Sequence, residues 1–152
     1  MNISKFVDHV GFNGPILLFG LSAILLRNKR RTLFIYIVGS ILNVLINYFL
    51  KMTIKEPRPI EDNIDLEWIN KGNKREGVDK YGMPSGHAQI VWFSTAFVFC
   101  VLKDFTWLFV FMLISLNTVF QRFNYNNHTI SQLLFGTLIG LLFGVFMCYV
   151  FF

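Results

Sequence analysis

Charge is scarce in this chain. Only 15% of its 152 residues are Asp, Glu, Lys or Arg, and they gather in two stretches instead of being spread along the sequence. A soluble globule carries charge over its whole surface, so that class is excluded, and a disordered or collagen-like chain fits no better. Cysteine occurs only twice, as Cys100 and Cys148, each inside an apolar run and with no CxxC spacing. That excludes an extracellular disulfide framework and a cysteine metal site, and predicts two inert buried thiols. Histidine is limited to His9, His87 and His128.

What is abundant is apolar surface. Hydrophobic residues make up 54% of the chain, eighteen residues are Phe, and the mean hydropathy is +0.51. These values describe an integral membrane protein. The net charge of +5 permits an anionic partner, and the clustering of its basic residues points to phosphate or lipid head groups in preference to nucleic acid.

Apolar runs able to cross about 30 Å of hydrocarbon lie near residues 10–26, 32–50, 88–102, 105–120 and 130–152. The expected fold is an all-α, polytopic transmembrane helix bundle of about five spans, forming one domain over 1–152. The first run is short and follows Lys5, as a signal peptide would. Arg27, Lys29, Arg30 and Arg31 follow it at once with no cleavage site, so an uncleaved anchor is expected. The third run is also short, unless its helix starts within Pro84-Ser85-Gly86-His87. One long polar loop, 51–83, carries seven basic and seven acidic residues. Counting spans places this loop and residues 121–128 on one side of the membrane, opposite the 27–31 cluster and the C-terminus.

Gly136, Gly140 and Gly144 form a doubled GxxxG ridge, which marks close helix contact. Packing within this bundle is its first use, and a homodimer face the alternative. Trp68, Trp92 and Trp107 read as interface anchors.

Three polar segments carry candidate chemistry. If the second span continues to Pro57, Lys51, Lys55 and nearly Arg58 share one face and make an anion site. Taken alone, the same residues would serve as snorkelling cations at a helix end. In Pro84-Ser85-Gly86-His87, Ser85 can cap the following helix and Gly86 leaves the backbone N–H groups open to a phosphate. Arg122, His128 and Gln132 open the last span. His128 and Gln132 are four apart, so the Gln oxygen can accept from one imidazole nitrogen and aim the other outward. A His held so is a nucleophile or a metal ligand, and the metal reading lacks ligands, since the segment around His128 has no further His, Cys, Asp or Glu. Cations around a nucleophilic His argue for phosphoryl transfer.

Together Lys51-(six residues)-Arg58-Pro59, Pro84-Ser85-Gly86-His87 and Arg122-(five residues)-His128 resemble the three-part signature of the type 2 phosphatidic acid phosphatase superfamily, which includes vanadium haloperoxidases. The resemblance covers about residues 51–136. Two positions depart from it: Gln121 stands where Ser is usual, and Gln132 where Asp is usual. The run His128-Thr129-Ile130-Ser131-Gln132 is similar to the dolichyldiphosphatase branch, which has Gln there. The stretch Gly82-Met83-Pro84-Ser85-Gly86-His87-Ala88-Gln89, with Trp92-Phe93, is similar to that branch as well.

The resemblance implies a membrane-bound lipid phosphatase without metal or other cofactor. In that reading His128 attacks phosphorus to form a phosphohistidine and His87 protonates the departing oxygen. Lys51, Arg58 and Arg122, with Ser85 and the Gly86 amide, hold the phosphoryl oxygens, and Gln132 orients His128. The implied substrate is a polyprenyl diphosphate such as dolichyl diphosphate. A phosphatidate-type monophosphate is the alternative, and a non-catalytic membrane scaffold the reading from another class. The 27–31 cluster argues for a cytoplasmic loop there and a lumenal site, in an internal membrane such as the endoplasmic reticulum. The loop 60–80 reads as either a lid or a solvated, charge-balanced connection.

Overall fold

The structure is a computed structural model that describes residues 3–59 and 75–152. Among these residues the chain forms six α-helices: α1 (Ile3–Phe12), α2 (Gly14–Leu26), α3 (Arg30–Ile54), α4 (Gly86–Leu102), α5 (Phe105–Asn124) and α6 (Ile130–Phe151). A single 3-10 turn, Gly77–Lys80, precedes α4. The all-α expectation is met. The expected lid and Trp68 fall largely or wholly at 60–74, outside the described residues.

The span count differs from the five expected. Helices α3, α5 and α6 are long and apolar enough to cross a membrane, and α1 with α2 makes a fourth span if the pair is taken as one. That pair is bent by 70°. Pro15 supplies no N–H, and its ring collides with the carbonyl four residues back in a continuous helix, so the chain breaks at Asn13. At the break, the His9 carbonyl accepts from both the Asn13 backbone N–H at 3.0 Å and Asn13 Nδ2 at 2.9 Å. Outward-facing Phe34, Ile41 and Phe49 on α3, and Leu134, Leu138 and Leu142 on α6, recur at helical spacing and face lipid. The chain is a multi-pass membrane protein.

Helix α4 starts where the short third run required, at Gly86 with Ser85 as N-cap. Its 17 residues fall below the length of a full span, and its position accounts for this. It touches α2, α3, α5 and α6, and buries Phe93, Phe97 and Val98 among them. A helix walled by protein has no need to match the hydrocarbon thickness.

The tightest contact is between α4 and α6, which run parallel. Gly136, Gly140 and Gly144 are buried, and a Cβ on them would collide with the carbonyls of Ser85, Gln89 and Phe93 respectively. The ridge therefore serves packing within the bundle. The homodimer through these three glycines is corrected, because α4 already occupies that face. Four residues further along the same face, Cys148 meets Cys100 with Cα atoms 6.3 Å apart, and the two form a disulfide. This corrects the expectation of inert thiols: helices drawn together by glycine place two residues 48 apart in sequence within bonding reach. Trp92 and Trp107 pack on Leu18, Val91, Val98 and Phe111.

Gly140→Ala is expected to destabilise the detergent-solubilised protein by about 1–3 kcal/mol, the range for an overpacked contact. Gly20→Ala, inside α2 at a position with nothing within 4 Å, is the control and should leave the thermal midpoint unchanged or raised. Equal midpoints for the two variants would contradict the α4–α6 contact.

Candidate active site

The C-terminal ends of α3 and α5 and the N-terminal ends of α4 and α6 gather at one end of the bundle around a cavity of about 300 Å³. Lys51, Arg58, Arg75 and Arg122 line it together with His87, His128 and Asp79.

Lys51 reaches the cavity from the last turn of α3. Asn43, Asn47 and Lys51 form a buried polar stripe at four-residue spacing on this apolar helix. Membrane-embedded polar groups are costly unless paired, and these are paired. Gln89 of α4 donates through Nε2 to the Asn43 carbonyl and Oδ1, each at 2.9 Å, and accepts from Asn47 Nδ2 at 2.8 Å. Asn47 Nδ2 also donates to the Pro84 carbonyl at 3.2 Å. This network fastens α3 to the start of α4. Lys51 Nζ donates to the Tyr81 carbonyl.

The helix does not continue to Pro57. It ends at Ile54, and Lys55 takes the left-handed conformation (φ 54°) as C-cap, exposed and away from the cavity. Lys55 therefore leaves the expected cation face. Arg58 arrives instead from an extended segment, in which Pro57 bridges Tyr81 and the Glu56 carbonyl accepts from Gly82 N–H at 2.8 Å. The Arg58 guanidinium donates to the Asp79 carbonyl (2.7 Å), Asp79 Oδ1 (2.7 Å) and the Asn127 carbonyl (2.8 Å). Arg75 grips the other Asp79 oxygen at 2.7 Å. Burial alone would raise the Asp79 pKa, but Arg58 and Arg75 outweigh it and hold the carboxyl below its ordinary value.

His128 lies in the turn before α6, not on the helix face expected from its spacing to Gln132. Thr129 is the N-cap, and a capping box delivers the contact. Gln132 N–H donates to Thr129 Oγ1 at 3.3 Å, and Thr129 N–H donates to Gln132 Oε1 at 3.2 Å. The Gln132 Nε2 group donates to Glu56 Oε1 at 2.7 Å and to the Pro57 carbonyl at 2.8 Å. A backbone N–H on one side and a backbone carbonyl on the other leave only one orientation of this carboxamide. Gly82 makes room for it, since a Cβ there would overlap Gln132.

These partners fix the tautomer of His128. Its Nδ1 faces Gln132 Oε1 at 3.2 Å, an acceptor, so Nδ1 carries the proton. Its Nε2 faces Arg58 Nη1 at 2.9 Å, and a guanidinium can only donate, so Nε2 presents a lone pair. Burial, followed by the positive charges of Arg58 and Lys51, holds the imidazole well below its ordinary pKa, with the Gln132 hydrogen bond opposing. His128 is therefore a neutral base whose Nε2 lone pair is turned to Arg58.

Arg122, at the end of α5, is buried, and its Nε donates to Gln121 Oε1 at 3.0 Å. Its guanidinium lies 5.0 Å from the centre of the Phe12 ring, which is also 5.9 Å from the ring of His87. His87 is the second residue of α4, and Gly86 beside it also lines the cavity. Ser85 does not line it, and its Oγ is buried with no hydrogen-bond partner among the described residues. Gln132 stands behind His128, outside the lining.

The structure thus brings together Lys51, Arg58, His87, Gly86, Arg122 and His128. It adds residues that the sequence reading did not name: Phe12, Glu56, Arg75 and Asp79, together with Asn43 and Asn47. The asparagines had a legible signal in their spacing from Lys51. Phe12 follows from the bend after α1, and the charged residues of the long loop carried no spacing that singled them out.

Residues 32–152 match the PAP2 superfamily, and the chain belongs to it. Among curated proteins, it is 28% identical over 154 residues to Dolichyldiphosphatase 1 of Rhinolophus ferrumequinum, covering 90% of this chain and 60% of that protein. It is 31% identical over 126 residues to Dolichyldiphosphatase 1 of Homo sapiens, covering 69% of this chain and 47% of that one. A palmitoyl-protein thioesterase-dolichyl pyrophosphate phosphatase fusion of Schizosaccharomyces pombe is 28% identical over 122 residues, covering 73% of this chain and 18% of the fusion. The chain thus spans at most 60% of the length of these relatives. No solved structure matches it significantly.

Because its pKa is depressed, His128 is expected to keep the neutral, Nδ1-protonated form from about pH 8 down to about pH 5.5, where an ordinary imidazole would have gained a proton. Nitrogen-15 NMR of histidine-labelled protein reads this directly. A titration of His128 centred near 6.5 would overturn the assignment.

Proposed function

We propose that this protein is a lipid-diphosphate phosphatase of the membrane surface, acting on a polyprenyl diphosphate through a covalent phosphohistidine. One observation carries the reading: a neutral histidine directs its lone pair into a cavity whose wall is lined by four cations. A phosphoanhydride bears dense negative charge that repels nucleophiles, and such a wall relieves the repulsion as charge builds in the transition state.

In this mechanism His128 Nε2 forms a bond to the terminal phosphorus while the bond from that phosphorus to the bridging oxygen breaks. His87, which takes up a proton as the anion binds beside it, delivers that proton to the departing oxygen, and the lipid monophosphate leaves. Water then attacks the phosphohistidine and gives its proton to His87, releasing inorganic phosphate and restoring both histidines. Lys51, Arg58 and Arg122, with the Gly86 amide at the start of α4, hold the phosphoryl oxygens, while Ser85, buried outside the lining, is left to the N-cap of that helix. The cavity lies at the helix ends, which suits a substrate whose tail stays in the bilayer while its phosphates reach the head-group plane. The preference for a polyprenyl diphosphate rests on the similarity to dolichyldiphosphatases and on Gln132. The dense cation cluster at 27–31 supports a site on the opposite, lumenal face, in an internal membrane such as the endoplasmic reticulum.

The test is phosphate release from a short polyprenyl diphosphate and from phosphatidate by detergent-purified protein in excess chelator. Release is expected from the diphosphate, faster than from phosphatidate, and His128→Ala should abolish it. Gln132→Ala should lower turnover without abolishing it. No release above the His128→Ala blank from either lipid would favour a non-catalytic scaffold.

A further inference from the structure

We propose that Glu56 supplies the carboxylate that serves His128, acting through the carboxamide of Gln132. The inference rests on the nucleophilic role given to His128 above and adds a positioning residue to it. Relatives with Asp at the position of Gln132 would place a negative charge directly on Nδ1, whereas a neutral amide there cannot by itself stabilise the cation that forms when Nε2 bonds to phosphorus. The charge stands one hydrogen bond further back. Glu56 Oε1 accepts from Gln132 Nε2 at 2.7 Å, and Gln132 Oε1 faces His128 Nδ1 at 3.2 Å. A carboxylate on the N–H side of an amide draws electron density toward its oxygen, strengthening that oxygen as an acceptor. The amide thus relays part of the charge it lacks.

Several features agree with this arrangement. The left-handed Lys55 turns the chain after α3, and the pairing of Glu56 with Gly82 holds Glu56 beside α6. Gly82 leaves the space in which the carboxamide lies. Asp79, the carboxylate in the cavity wall, is committed to Arg58 and Arg75 on the Nε2 side of the ring. Glu56 and Gln132 also form a matched pair: an Asp at 132 could donate to neither Glu56 nor the Pro57 carbonyl, and would set two carboxylates against each other.

The test compares Glu56→Gln, Gln132→Asp and the double variant with the intact chain. Glu56→Gln keeps an acceptor of the same shape and removes the charge. It is expected to lower kcat about 10- to 100-fold, the range for losing the charge from a charge-assisted hydrogen bond, with KM and the thermal midpoint little changed. Gln132→Asp alone should also lose activity, and adding Glu56→Gln to it should restore activity, so that one substitution harms in one background and rescues in the other. A purely structural Glu56 would leave kcat intact in Glu56→Gln, or give losses that multiply in the double variant, and either result overturns the proposal. An independent readout is the Nδ1 proton of His128 by NMR, which should move upfield in Glu56→Gln as its hydrogen bond weakens. If the intact chain releases no phosphate above the His128→Ala blank, the functional reading fails, and this resonance alone decides the coupling: an unmoved signal rejects it.

Discussion

The site depends on how closely two helices approach. Because α6 presents glycine at three successive turns, the backbone of α4 lies directly against it, and the Ser85 N–H reaches the Gln132 carbonyl at 3.0 Å. That bond joins the start of one helix to the start of the other. His87 is two residues after the first partner and His128 four residues before the second, so the packing sets where both imidazoles sit. At the far end of the same face the Cys100–Cys148 disulfide closes the pair covalently. Any side chain on the ridge would open a wedge between the two histidines.

Around this pair the other elements are held by polar groups buried in an apolar setting. Asn43, Asn47 and Gln89 leave α3 little freedom to slide along α4, since each slip would strand amides where no water reaches them. Gln132 plays the corresponding part on α6, meeting its own helix cap, the extended segment before Arg58 and the imidazole of His128. Uncharged side chains thus fix much of the backbone that bears the cation wall, and Asp79 ties two of its members, Arg58 and Arg75, to each other.

Much of this was legible in one dimension. Apolar runs located α3, α5 and α6, and the Pro84-Ser85-Gly86-His87 turn announced where α4 begins. The spacing of Lys51, Arg58, Arg122 and His128 marked the candidate site because local geometry sends those residues to one end of the bundle. Pro15 signals the bend at Asn13, but hydropathy alone smooths over a broken helix. Lys55 was misplaced because a left-handed cap, not Pro57, ends α3. The Cys100–Cys148 bond and the roles of Glu56 and Asp79 depend on segments far apart in sequence, and no local pattern reports such pairings.

Arg58 has a consequence for how the cavity fills. Nη1 is directed at the lone pair of His128, so the two groups satisfy each other. Under the proposed mechanism, an anion in the cavity would compete with His128 for that N–H, and the imidazole electrons would be uncovered as the contact gave way. Loading and arming would then be one exchange. The lost Arg58–His128 contact would then subtract from the affinity of an entering anion, which would keep ground-state binding modest and leave the interactions that strengthen later for the barrier.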